Sequence, residues 1–379
     1  MSSYNSFTAW HSGQFNSWVA DKCKLNTTVS HVYLTNLSIP EEIDQLVNLS
    51  SLITLGGVES IPKTIANMKK LSLLVMANPG INSLIPEIGM VRTLKTLKIE
   101  ETFIEKLPDE IGLLLWLNLL RVTNGRLVTL PASIGNLKAL TEVDLNNNNI
   151  ETLPGELFTI PSLLYLNLSG NRLCVLPESD QPTGLSYLDI SNNLFTEPPA
   201  IAFRASQLKT LKMAGNKLRT ILPVTKSLET LHCENNLIDQ LGDEISEFTH
   251  LAFLNISNNL FTEFPAAVCK IRNLITLKIS GNQISSIPPT ISKLSKLEIL
   301  DFDNNLLYQF PPIEFSSLNL VCADMCGNPF SEIDTTPVTF GRRLHCLHLD
   351  SYLKDMVFPN TQVFLFKNTD DTIDTKPYK

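Results

Sequence analysis

The chain has 379 residues, 43% of them hydrophobic, which is enough apolar material for one large core or two ordinary ones. A net charge of −8 and an isoelectric point near 5.4 argue against the basic face that phosphate neutralisation needs, so no nucleic-acid partner is expected. No run of roughly 18 apolar residues occurs. The most apolar stretch, Ile111 to Leu120, is broken at Asn118, so no membrane insertion is expected.

Taken in chain order, the first residues carry neither a basic segment nor an apolar one, and no Sec-type signal peptide is read there. Phe7, Trp10, Phe15, Trp18 and Val19 recur at roughly helical spacing, which predicts a helical N-terminal cap over residues 1–28. After a degenerate copy around Val32 and Leu34, one phrase recurs: L-x-x-L-x-L-x-x-N-x-L-x-x-L-P-x-x-I-x-x-L. Its first leucines are Leu49, Leu71, Leu94, Leu117, Leu140, Leu163, Leu185, Leu208, Leu228, Leu251, Leu274, Leu297 and Leu320. The spacing is 23 residues, apart from two intervals of 22 and one of 20, between Leu208 and Leu228.

The x-L-x-L-x segment alternates with period two and predicts a short strand with one buried face, the strands stacking in parallel. Asn at the ninth position, from Asn148 and Asn171 through Asn328, sits where the chain leaves each strand, and its amide can both donate to and accept from neighbouring turns. Thr102 and Gly125 replace it in two early copies, which predicts a less regular N-terminal end. The segment after each strand, such as Pro131 to Leu137, has apolar residues at i and i+3 behind a proline and predicts a helical or 3-10 turn on the outer side. The short copy, with Ile221-Leu222-Pro223, is expected to lack that turn. Residues 29–333 are thus an α/β solenoid of 13 to 14 repeats, with a curved parallel sheet on the concave face and short turns on the convex one. Phe340, Leu344, Leu347, Leu349, Leu353, Val357 and Phe358 predict a second helical cap over 334–366, followed by a polar, flexible tail, 367–379.

The segments Leu107-Pro108-Asp-Glu-Ile111, Leu130-Pro131-Ala-Ser-Ile134 and Ile287-Pro288-Pro-Thr-Ile291 resemble the convex motif of the Ras-group, 23-residue class of intracellular leucine-rich-repeat proteins, over roughly residues 49–333. That resemblance implies a signalling scaffold, since such proteins hold GTPases, phosphatases or other signalling proteins. The chain is also similar to secreted bacterial leucine-rich-repeat effectors, whose repeats are usually shorter, as the 20-residue interval is. Seven scattered cysteines suit reduced thiols in a cytoplasmic compartment; the alternative is secretion by a bacterium into a host cell without a Sec signal.

Candidate partner-binding residues occupy the variable strand positions. The central row supplies Lys98, Arg121, Asp144, Asp189, Lys212, His232, Lys278, Asp301 and Asp324. Tyr165, Tyr187 and Phe253 come from the third strand position as rigid aromatic anchors, and Asp303 completes an acidic end with Asp301 and Asp324. Leu115, Trp116 and Leu119 form a further apolar candidate. For catalysis, His232 beside Glu234 would be a base, but no nucleophile, phosphate loop or zinc motif accompanies it. Cys322, Cys326, His345, Cys346 and His348 have zinc-ligand chemistry without a recognised spacing, and cap residues are the plainer reading. Cys322-Ala-Asp324 resembles the C-x-D nucleophile of bacterial leucine-rich-repeat ubiquitin ligases, yet it lies inside the last repeat with only about fifty residues after it and no large helical catalytic domain. The expectation is therefore a monomeric, non-catalytic protein-binding scaffold with no cofactor and no metal.

Overall fold

The computed structural model describes residues 9–178, 184–221, 226–309, 318–331, 343–344 and 346–350, with the backbone of 365–367. The chain divides into two compact units, Met1–Leu194 with Pro199–Ser206 and Phe195–Pro198 with Gln207–Lys379.

Among the described residues of the first unit, nine strands pair in parallel with their neighbours in sequence. They are β1 (Ala9–His11), β2 (His31–Thr35), β3 (Ser51–Leu55), β4 (Leu73–Ala77), β5 (Thr96–Glu100), β6 (Leu119–Thr123), β7 (Glu142–Asp144), β8 (Tyr165–Asn167) and β9 (Tyr187–Asp189). The register aligns equivalent repeat positions, for example Lys98 with Arg121 and Arg121 with Asp144. The second unit repeats the pattern with β10 (Thr210–Lys212), β11 (Thr230–His232), β12 (Phe253–Asn255), β13 (Thr276–Lys278), β14 (Ile299–Asp301), β15 (Cys322–Asp324), β16 (Cys346–Asp350) and β17 (Leu365–Lys367).

The repeat leucines form the core: Leu140, Val143, Leu145 and Ile150 are wholly buried, as are their counterparts Leu251, Leu254, Ile256 and Phe261 in the second unit. Behind the strands lie five-residue 3-10 turns such as Ala132–Asn136 and Pro289–Lys293, each inserting one isoleucine, Ile134 or Ile291, into the core. The proline that leads most of these turns stands just outside the turn, as with Pro131 at φ −72° and ψ 149°, rather than at its first helical residue. Its fixed φ suits the extended backbone that enters the turn. Gly112 lets consecutive turns stack closely, since a Cβ there would lie 2.5 Å from the Ser133 carbonyl oxygen. The Leu208 repeat, expected to lack a turn, has residues 222–225 outside the described residues, so its outer segment stays an expectation.

The ninth-position asparagines hold the repeats together as expected. Asn171 is buried; its Nδ2 donates to the carbonyls of Leu145 in the preceding repeat and of Leu168 and Ser169 in its own, while its Oδ1 accepts from the Ile150 amide. Asn259 and Asn305 make the same set in the second unit. The N-terminal repeats without this Asn are not less regular: β2 to β6 run five residues, whereas β7 to β9 run three. The reason is competition for one acceptor. Asn148 and Asn171 both claim the Leu145 carbonyl, which would otherwise extend the strand ladder, and where Thr102 and Gly125 replace the Asn the backbone keeps its strand pairing.

The N-terminal end keeps part of the expected helical cap, whereas the described part of the C-terminal stretch does not. The N-terminal end is a strand, β1, which adds to the sheet, followed by a single nine-residue helix, α1 (Ser12–Ala20), burying Phe15 and Trp18. Residues 1–8, including Phe7, lie outside the described residues. In the stretch expected as the C-terminal cap, β16 and β17 continue the sheet, because Leu347 and Leu349 alternate with period two and are wholly buried. The remainder of 334–366, apart from residues 343–344, and the tail from 368 lie outside the described residues.

Candidate functional site

On the strand face of the first unit, Arg121 sits among acids: its Nε is 3.1 Å from Asp144 Oδ2, one Nη is 3.4 Å from Glu142 Oε1 and the other 4.0 Å from Glu100 Oε1. Asp144 is only 5% exposed, and its other oxygen accepts from the Asn146 backbone and side-chain amides. Next along the face, the Tyr165 and Tyr187 rings stack, and the Tyr187 hydroxyl donates to Asp189 Oδ2 at 3.2 Å. Asp189 is also buried and accepts the Ser191 amide. Asp144 and Asp189 therefore act chiefly as braces beneath the surface, whereas the half-buried tyrosines and Arg121 present surface to solvent. Burial first, then neighbouring charges and hydrogen bonds, pushes both phenols up to about 12. Lys98, half-buried on β5, pairs in register with Arg121.

In the second unit, Phe253 packs against His232 at 4.7 Å between ring centroids, so it is not part of the tyrosine stack. His232 Nδ1 lies 3.3 Å from Glu234 Oε1, the carboxylate contact a catalytic base would need, and its ring packs against Phe253. Lys212 aligns with His232 across β10 and β11. Lys278 Nζ is 3.8 Å from Asp301 Oδ2. Burial above all, then the hydrogen bond and charge of Asp303, pushes the Asp301 carboxyl up to about 7, against the pull of Lys278. Asp324 Oδ2 accepts from His348 Nδ1 at 2.9 Å. The Cys322 thiol is pushed up to about 12, by burial first, the reverse of what a C-x-D nucleophile requires at rest. Among the described residues no group of three or more His, Cys, Asp or Glu converges as a metal site; His345 lies outside them.

Two surface features escaped the reading of the sequence. On β2 to β4, Tyr33, Ile53, Leu55, Leu73, Val75 and Ala77 give the strand face an apolar floor, with Leu55 52% exposed. Alternation alone could have found it, since these are outward positions filled by apolar residues. Beside the candidate Trp116, which is 66% exposed with Leu115 also open, Met90 and Leu113 are exposed at the ends of their 3-10 turns. Leu119 belongs to β6 on the strand face, and among the described residues no loop covers Trp116.

A family model described as a leucine rich repeat matches residues 116–173, and another, for leucine rich repeats in two copies, matches residues 272–314. The chain is 32% identical over 96 residues to the protein flightless-1 homolog of Caenorhabditis elegans, a stretch covering 24% of this chain and only 8% of that protein. A leucine-rich-repeat protein of Leptospira interrogans aligns over 81% of this chain and 84% of its own, with 28% identity and a TM-score of 0.71. The Toll–Spatzle complex of Drosophila aligns over 85% of this chain and 50% of that one, with 22% identity and a TM-score of 0.68, a likeness of fold alone. Repeat spacing, asparagine ladder, parallel strands and outer turns agree with these likenesses: the chain carries leucine-rich repeats, and each of its units is folded as a leucine-rich-repeat solenoid.

Proposed function

We propose that the chain is a non-catalytic scaffold that binds a protein partner on its strand faces. The observation that carries this is the open apolar floor of β2 to β4, because a continuous strand face of Tyr33, Ile53, Leu55, Leu73 and Val75 left in water is an unfavourable arrangement that a partner relieves. In the first unit the contact runs from that floor past Lys98 and Arg121 to Tyr165 and Tyr187, with Asp144 and Asp189 bracing it. The tyrosines are held by stacking before any partner arrives, so little rotamer entropy is lost on binding. In the second unit Lys212, His232, Phe253, Lys278, Asp301, Asp303 and Asp324 offer a more charged surface.

The reading places the protein in a reducing compartment, which its seven free cysteines support, as a monomer with no cofactor. Among the described residues no helix is long and apolar enough to cross a membrane. Affinity capture from the source cells, read by mass spectrometry, tests the assignment. A partner recovered by the natural chain is lost by a Leu55→Asp, Tyr165→Ala, Tyr187→Ala variant of unchanged circular dichroism, and a partner retained by that variant refutes this surface.

The likeness to the Leptospira protein favours a second reading, a bacterial effector that uses the same surface inside a host cell. Release that depends on a secretion system supports it; a eukaryotic genomic origin ends it.

A further inference from the structure

The strand face at the C-terminal end of the second unit brings two thiols, an imidazole and a carboxylate into one line. Cys322 and Cys346 are register partners on adjacent parallel strands, both half-buried. Adjacent strands put paired Cα atoms about 4.8 Å apart, inside the range a disulfide spans. Cys346 Sγ lies 3.1 Å from His348 Nε2, and His348 Nδ1 lies 2.9 Å from Asp324 Oδ2. A carboxylate only accepts, so Asp324 fixes the neutral imidazole with its proton on Nδ1 and leaves the Nε2 lone pair facing the Cys346 thiol. A nucleophile, a base within reach of it and a group that orients the base are the arrangement that activates a weak nucleophile.

We propose that Cys346 and Cys322 are a peroxide-sensitive thiol pair, with His348, positioned by Asp324, accepting the Cys346 proton as its sulfur attacks. The oxidant is hydrogen peroxide or an organic hydroperoxide. Cys346 sulfur bonds to the terminal peroxide oxygen, the O–O bond breaks, and the leaving oxygen takes the proton, giving a Cys346 sulfenic acid and water or an alcohol. The Cys322 sulfur then displaces that hydroxyl as water, and the S–S bond closes. The two thiols together lose two electrons, which the peroxide gains. His348 Nε2 stands beside Cys346 and not Cys322, so Cys346 is the first to react and Cys322, whose thiol burial pushes up, the one that resolves it.

The full reduced chain is treated with limiting hydrogen peroxide, quenched, and mapped by peptide mass spectrometry, with the exposed Cys174 as internal reference. The expected product is a Cys322–Cys346 disulfide that forms before Cys174 is oxidised. In Cys322→Ser, dimedone traps a sulfenic acid on Cys346. In His348→Gln the Cys346 reaction slows by about tenfold or more while Cys174 is unaffected. Oxidation of Cys346 no faster than that of Cys174 in the natural chain overturns the proposal whether or not the variants fold, as does a disulfide that pairs either thiol with Cys326 instead.

Discussion

The rings of Tyr165 and Tyr187 lie nearly parallel, 11° apart, with centroids separated by 4.3 Å, although 22 positions of chain separate the two residues. The repeat period alone produces this meeting, because it sets equivalent side chains of consecutive strands side by side.

Both phenols are pushed up to about 12, burial being the largest cause. Ultraviolet titration of the folded chain is expected to show two tyrosines ionising roughly two pH units above the ordinary value. Tyr165→Phe and Tyr187→Phe each remove one phenol from that late phase. Ionisation of both near pH 10 would contradict the stacked, half-buried arrangement.

Glu101 has φ +56°, a left-handed conformation held at the same repeat position by Asn78, Asn124 and Asn147 and, in other copies, by glycine such as Gly170. An ordinary side chain is disfavoured there by contact with its own backbone. Glu101→Asn is expected to stabilise the first unit by about 0.5–1 kcal/mol. Urea denaturation checks it, and a lower midpoint would mean that the Glu101 carboxylate does work the structure does not reveal.

Asn171→Ala removes a buried amide that satisfies the Ile150 amide and part of the Leu145 and Leu168 carbonyls. One buried backbone group left unpaired costs about 1–3 kcal/mol, so a loss of that size is expected in denaturant titration. A neutral result would mean that water enters the ladder readily.

Asp301 takes up its proton near pH 7 in the folded chain, against the usual 3.8. Between those values the folded state holds a proton that the unfolded state has released, so this group's contribution is full below about pH 4 and fades as the pH rises through 7. Asp301→Asn is therefore expected to raise the thermal midpoint at pH 8 and leave it almost unchanged at pH 4. Scanning fluorimetry across that range decides, and an equal gain at both pH values would place the effect elsewhere.

The strands and the core were legible because hydrophobic alternation records burial directly: Val143 and Leu145, or Leu277 and Ile279, could face nowhere else. The ninth-position Asn was legible for the same reason, since a polar residue recurring in an apolar phrase must have fixed partners. The left-handed residue before it was missed, because Asn147 and Gly170 share backbone freedom and not polarity, and a search for one recurring letter passes over them. The final strands were missed because a repeat broken by an altered outer segment no longer matches the full phrase, although Leu347 and Leu349 keep its inner half. At the candidate surface, position was legible and depth was not. Asp144 and Asp189 stand at outward positions, yet Arg121 and Tyr187 draw their carboxylates down.

Each ladder asparagine reaches backwards. The Ile150 amide is satisfied by Asn171 of the following repeat, and the Ile284 amide by Asn305 of its successor. During synthesis a repeat that has left the ribosome therefore lacks one backbone-amide partner until the one behind it emerges. The two kinds of shortening differ accordingly: a cut from the carboxyl end leaves the last surviving copy with an open backbone amide, while a cut from the amino end leaves the first surviving asparagine without the amide and carbonyl it would reach back to.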